Sequence, residues 1–172
     1  MAASPGRPRT ISLEQIVQAT VDDGLDTFSM PSVARRVGVA HSALYRYVPD
    51  RESLLVSAAE SILDAATWPA TDQTWDPLLR AIAQTVTSVC DEHPGFARAV
   101  LASARMPEVW RERLRPYHEA LQRQGFSDGD ARLVTDLLLH IALVGALTAL
   151  DPDDRERRRD LVLAGVAELT GL

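Results

Sequence analysis

Three features predict an all-α fold of about nine helices: long Ala-, Leu- and Val-rich runs, no stretch that alternates apolar with polar residues, and an aromatic content of only 5%. The chain has 172 residues, 46% of them apolar, enough for a real core as one large domain or two small ones. Net charge is −6, which taken alone argues against nucleic acid, but the charge is uneven. Residues 1–51 hold six arginines against five acids, and the remainder holds twelve against nineteen. The N-terminal end is therefore the part suited to meeting phosphates, by a modest margin.

Residues 2–10, with Arg7 and Arg9, read as a flexible arm, either idle or able to reach phosphates or the minor groove. Ser12 caps a helix over 13–23, with Leu13, Ile16, Val17 and Val21 inward and Gly24 at its end. Leu25 and Phe28 fold back to close a three-helix core. Asp22 and Asp23 read as solvated surface, because no His or Cys lies near them to make a metal site. Ser29 caps the next helix, over 30–37, and Pro31 sits in its first turn, where a missing N–H matters little. Val33, Ala34 and Val37 form its apolar stripe, and Gly38 stops it.

A third helix is expected over 40–47. Ala40, Leu44 and Val48 share its inner side; His41, Ser42, Tyr45 and Arg46 share the outer one. The outer face combines hydrogen-bond donors, an aromatic hydroxyl and a fixed positive charge, with no acid. A short helix of this kind, behind a helix and a Gly turn, suits a DNA major groove, and the apolar spacing alone fits an ordinary helical hairpin as well. Pro49 and Asp50 end it.

Arg51 opens a longer helix over 51–66, with Leu54, Leu55, Ala58, Ala59, Ile62 and Ala65 or Ala66 on its buried face. Residues 67–76 read as a linker with two Trp. Five further helices are expected over 77–92, 94–104, 107–124 (with Pro116 kinking it), 128–150 (capped by Ser127) and 152–169. The fourth of these carries Leu133, Leu137, His140, Ile141, Val144, Ala146, Leu147 and Leu150, spread over more than one face. The fifth carries Leu161, Val162, Val166 and Leu169. A helix that is apolar nearly all round must be covered on several sides, by its own core or by a second copy of the chain.

The stretch GVAHSALYRYVPDRESLL, from Gly38 to Leu55, resembles the G-V-S-x-x-x-L-Y-x-H-F-x-x-K-E-x-L-L signature of the TetR family of bacterial transcriptional regulators. The matching residues are Gly38, Val39, Leu44, Tyr45, Arg51, Glu52, Leu54 and Leu55. Upstream, Gly24, Phe28, Ser29, Met30, Val33 and Ala34 are similar to the family's G-x-x-x-x-T-[MV]-x-x-[IV]-A stretch. Three positions depart from the pattern: Ala40 replaces the usual capping Ser or Thr, at roughly 1 kcal/mol of helix stability, Tyr47 replaces His, and Val48 replaces Phe.

The resemblance implies an N-terminal arm and three-helix helix-turn-helix domain over 1–50. A ligand-binding and dimerisation domain follows over 51–172, with helix 51–66 as the connector. It implies a regulator, a repressor in this reading, that binds a palindromic double-stranded operator as a homodimer and is released by a small-molecule effector of unknown identity. His41, Ser42 and Arg46 are the expected base-edge contacts; Ser29, Tyr45, Tyr47 and Arg51 are the expected phosphate contacts. Leu137, Ile141, Val144, Leu147, Leu161, Val162 and Val166 are expected at the dimer interface, because one short recognition helix reads too few base pairs to be selective. Phe96, Trp110, Tyr117, His118 and His140 are candidates for an effector site, and each reads equally well as plain core. The alternative is a helical protein-interaction module whose helix-turn-helix no longer binds DNA.

Enzyme chemistry finds little support. Cys90-Asp91-Glu92-His93 is the best metal-capable run, and its members cannot all turn toward one ion from a helix end. No Gly-rich phosphate loop, GxSxG or HExxH occurs, so no cofactor or catalytic residue is expected. The longest apolar stretch, 137–150, is too short to span a bilayer, and the first ten residues have no signal-peptide core; a cytoplasmic protein without a membrane partner is expected.

Overall fold

The computed structural model describes residues 11–148 and 150–170, so the arm with Arg7 and Arg9 lies outside the described residues. Within them the chain is all-helical. The helices are α1 (Leu13–Asp23), α2 (Met30–Val37), α3 (His41–Leu44), α4 (Arg51–Ala65), α5 (Trp75–Glu92), α6 (Phe96–Ala102), α7 (Met106–Gln122), α8 (Asp128–Leu147) and α9 (Pro152–Thr170).

The N-terminal helices start where side-chain oxygens take up first-turn amides. Ser12 and Gln15 form a reciprocal capping box on α1, and Ser29 and Ser32 form one on α2. Asp50 accepts from the Ser53 amide at 2.6 Å to open α4. Gly38 ends α2 in the left-handed region (φ 75°), where its N–H reaches back to the α2 carbonyls.

Packing then assigns the faces. α1 lies against α2 and α4, and α2 against α3. α8 is the central helix of the rest, touching α5 most extensively and also α6, α7 and α9, while α4 reaches α6 and α7. α5, α6 and α8 bury Leu78, Leu79, Val86, Phe96 and Leu138 almost completely.

Several expectations need correction. Leu13 is 43% exposed, because it carries the stripe one turn beyond the surface that α1 packs on; Ala19 and Thr20 are buried instead. The Thr20 hydroxyl is satisfied by the Ile16 carbonyl, 2.9 Å away. Asp23 is not solvated surface: its carboxylate pairs with Arg36 and pins the end of α1 to α2. On α4, Val56 and Leu63 are buried, whereas Ala65 is exposed.

α3 is shorter than expected. Ala40 gives no side-chain cap, and beyond Leu44 the chain continues as hydrogen-bonded turns to Val48. Ala40 itself is exposed, so Leu44 and Val48 alone anchor the inner side. α8 faces its neighbours with Ala131, Val134, Leu138, Leu139 and Leu143. The Leu133, Leu137 and Leu147 side of the same helix faces outward.

Candidate nucleic-acid interface and body cavity

Leu44 and Val48, both buried, fix the turn that carries α3 against the core, and the opposite face is left open. His41, Ser42, Tyr45 and Arg46 are all exposed there, with Tyr45 at 49%. His41 and Tyr45 act as a pair: the rings meet edge-on with centroids 5.2 Å apart, and Tyr45 Oη lies 3.4 Å from His41 Nε2. Arg46 has no ion pair among the described residues. A guanidinium held in water without a carboxylate keeps its full fork of donors.

The remaining sequence candidates around α3 are more occupied. The Ser29 hydroxyl accepts from the Ser32 amide at 3.2 Å as part of its helix cap. Tyr47 is half-buried against the core. Arg51 Nε donates to the Phe28 carbonyl at 3.3 Å, and its guanidinium lies 4.2 Å from the centre of the Phe28 ring. Arg51 thus has a structural partner that no spacing rule foretold. Arg35, at the end of α2, is exposed and also without an ion pair among the described residues; in the sequence it is masked by its neighbour Arg36, which Asp23 holds. The carboxyl of Asp50, the acid that follows this turn, is held below the usual carboxylate range by the Ser53 backbone hydrogen bond.

A cavity of about 340 Å³ lies between α6, α7 and α8. Trp110, His118 and His140 line it together with Ser103, Met106, Arg111, Arg132, Asp136, Leu139 and Leu143. Phe96 and Tyr117 do not: Phe96 is fully buried in the core, and the Tyr117 hydroxyl donates to the Pro69 carbonyl at 3.0 Å. His118 is buried, its Nε2 is 2.8 Å from Thr135 Oγ1, and burial pushes its pKa down. Its neighbour on the wall, Trp110, is 6% exposed, and its buried Nε1–H has no acceptor among the described residues.

The Cys90 run is accounted for structurally. Burial pushes the Cys90 thiol up to about 12, and Asp91 is the carboxylate that Arg155 of α9 pairs with at 2.9 Å. No cluster of three metal-capable residues occurs among the described residues. Along the outer side of α8 and α9, Leu133, Leu137, Leu147 and Leu161 are 39% to 68% exposed. Ile141, Val144, Val162 and Val166 are half-buried on the same two helices, and the Leu169 side chain lies outside the described residues.

These features define a helix-turn-helix protein with a helical body behind it. Residues 13–58 match the family described as bacterial regulatory proteins, tetR family, a span that ends inside α4. The N-terminal helices α1 to α3 and the start of α4 are thus similar to that family's regulatory proteins. It is similar to the HTH-type transcriptional repressor DrrR1 of Streptomyces coeruleorubidus, 32% identical over 97 residues, which is 53% of this chain. That matched stretch spans only 36% of the relative's own length. Among solved structures, a TetR variant from Acinetobacter baumannii AYE in complex with minocycline has TM-score 0.78 at 19% identity, over 94% of this chain and 96% of that one. BioQ with its natural double-stranded DNA operator has TM-score 0.76 at 22% identity, over 92% and 99%. No helix among the described residues is long and apolar enough to cross a membrane.

Proposed function

We propose that this chain is a ligand-responsive transcriptional repressor that binds a palindromic operator as a homodimer, and that it is not an enzyme. The observation that carries the proposal is the exposed, acid-free face of α3, where His41, Ser42, Tyr45 and Arg46 stand clear of the core on a turn anchored by the buried Leu44 and Val48. In this reading residues 1–50 form the DNA-binding domain and residues 51–172 the regulatory and dimerisation domain.

Arg46 reads guanine through its two major-groove acceptors, with His41 and Ser42 reading the adjacent base edges. Tyr45, Tyr47 and the amide end of α2 at Ser29 contact phosphates. Arg51 keeps its exposed nitrogens toward the backbone while Phe28 holds its Nε. Leu137, Ile141, Val144, Leu147, Leu161, Val162 and Val166 pair with the same residues of a second copy. Two α3 helices then fall about 34–36 Å apart, in successive grooves.

Release works through the corner between α6 and α7. Ser103, Met106 and Trp110 of that corner line the cavity. Ser103 also hydrogen-bonds Glu52, and Arg105 Nη1 donates to Ser53 Oγ at 2.7 Å, so the corner is clamped to the first turn of α4. α4 packs on α1, so an effector that reshapes the corner tilts the helix-turn-helix unit. It releases DNA only as far as it prefers the tilted state.

A gel shift with DNA from upstream of the protein's own gene tests the reading. A discrete complex, sensitive to salt and lost in Arg46→Ala, is expected. Absence of any complex with the folded dimer would favour the interaction module instead, for which the uncapped start of α3 at Ala40 speaks.

A further inference from the structure

The body holds the helix-turn-helix unit at both ends of α6. Just past the C-terminal end, Ser103 and Arg105 grip the first turn of α4. At the other end the contact bypasses α4 and falls on the turn between α1 and α2. The Asp26 carboxylate of that turn lies so close to the Gly95 backbone that a Cβ there would overlap it. Gly95 sits at φ +89°, a conformation open to glycine, so the backbone and the neighbouring carboxylate both call for a residue without a side chain. Arg98 Nε is 3.7 Å from the same carboxylate, but its side chain is 70% exposed and the pair adds little. The seat is therefore mainly one of shape.

Each half of the seat is tied to its own core. Asp26 stands between Leu25 and Phe28, which are 2% and 3% exposed. Thr27 Oγ1 donates to the Asp23 carbonyl at 2.6 Å, and the Phe28 N–H to the Gly24 carbonyl at 2.9 Å. Gly95 is followed by Phe96, which is fully buried, and its carbonyl accepts from the Ala99 N–H at 3.0 Å. A contact between two such parts passes on orientation, because neither side can give way alone. α4 by itself is one rod, and a unit carried on one rod can turn about it. A second contact that does not run through α4 removes that freedom. In a two-fold dimer the angle matters, since one base pair is about 3.4 Å of rise and about 35° of turn.

We propose that Asp26, seated on Gly95, is a positioning residue for operator binding: it fixes the angle of the helix-turn-helix unit on the body, and with it the half-site spacing that the dimer accepts. The spacing rests on the reading of the chain as an operator-binding dimer; the angle does not.

The test reads the angle first, without DNA. Spin labels at Glu14→Cys on α1 and Glu119→Cys on α7, both exposed positions, report the distance from unit to body by electron–electron double resonance. Cys90 is buried and stays unlabelled. Labelled chains are diluted in a large excess of unlabelled full-length chains, so only distances within one chain are read. Asp26→Ala is expected to broaden the distribution or to shift its mean by about 2 Å or more, the scale of small helix shifts. Asp26→Asn, which keeps the shape of the seat, should match the native chain. The second readout uses the palindrome protected in DNA upstream of the protein's own gene, with one base pair inserted or removed at its centre. The native dimer should prefer the natural spacing about fivefold or more, and Asp26→Ala should lose most of that preference while binding a single half-site as before. A purely structural role lowers Tm and moves neither readout. A lower Tm with native distances, altered distances with an unaltered spacing preference, or Asp26→Asn failing as Asp26→Ala does overturns the proposal. If the native chain binds none of this DNA, the operator reading fails separately, and the distances alone decide whether Asp26 sets the angle.

Discussion

The carboxylate of Asp26 fills the space beside Gly95 that any side chain there would need. Asp26 lies in the turn between α1 and α2, and Gly95 is the residue before α6, with φ at +89°. Arg98 of α6 stands 3.7 Å from the same carboxylate. Here the turn behind the helix-turn-helix unit touches the body without going through α4. Gly95→Ala should therefore carry two costs: a left-handed Ala, about 1–2 kcal/mol, and displacement of Asp26. A fall in Tm of about 3–8 °C is expected for a chain of this size. Asp26→Ala in the Gly95→Ala background should recover the second cost only. If the double variant melts with the single one, the contact contributes nothing.

Arg46→Ala should weaken binding to the operator by about 1–3 kcal/mol, with little change on unrelated DNA. Competitive gel shifts with point-substituted operators read this directly. An equal loss on all sequences would make Arg46 a phosphate contact instead.

Arg51→Ala has a double consequence, because Arg51 both covers Phe28 and faces outward. A lower Tm is expected together with a salt slope for DNA binding that is flatter by about one. Arg51→Lys should keep most of the slope and lose the planar contact with Phe28. Unchanged salt dependence in a folded Arg51→Ala protein would remove it from the phosphate contacts.

Leu161→Glu and Leu137→Arg should yield monomers in sedimentation experiments at micromolar concentration. Both leucines are largely open in the single chain, at 68% and 43%, so the fold should survive with its helicity intact. A dimer that persists in the double variant would move the interface elsewhere.

His118 predicts a pH effect on stability. Burial lowers its pKa in the folded state, so the unfolded chain binds the proton more readily. The contribution is complete above the unfolded value near 6.5 and is lost as pH falls below it. Chemical denaturation at pH 7.5 and pH 5.5 should show a loss in the native chain that is smaller in His118→Gln. Equal losses in both proteins would rule His118 out as the cause.

Much of this was readable from residues alone because it rests on neighbours in the chain. The caps at Ser12, Ser29 and Ser127, the stops at Gly24 and Gly38, and the outward face of α3 all follow from interactions within one helical turn. The uncapped start at Ala40 was equally visible, though not that it would leave α3 with a single regular turn.

Other features depend on segments far apart in the chain, and no local pattern contains them. α8 is apolar on both sides, so its sequence was silent on which leucines face α5 and which face out; the packing of α5, α6 and α7 selected Leu138 and Leu139 over Leu133 and Leu137. The effector candidates divided for the same reason. Trp110, His118 and His140 reach a common wall only because α7 lies along α8, while Phe96 and Tyr117 turn into the core. Periodicity and capping are properties of a few consecutive residues and named this an all-helical chain, while the helix-turn-helix at its start rested on the resemblance of the stretch from Gly38 to Leu55 to a family signature. The grip of Phe28 on Arg51, the clamp of Ser103 on Glu52 and the seat of Asp26 at Gly95 join residues 23 to 69 positions apart, and only the folded packing of the helices brings such partners within reach.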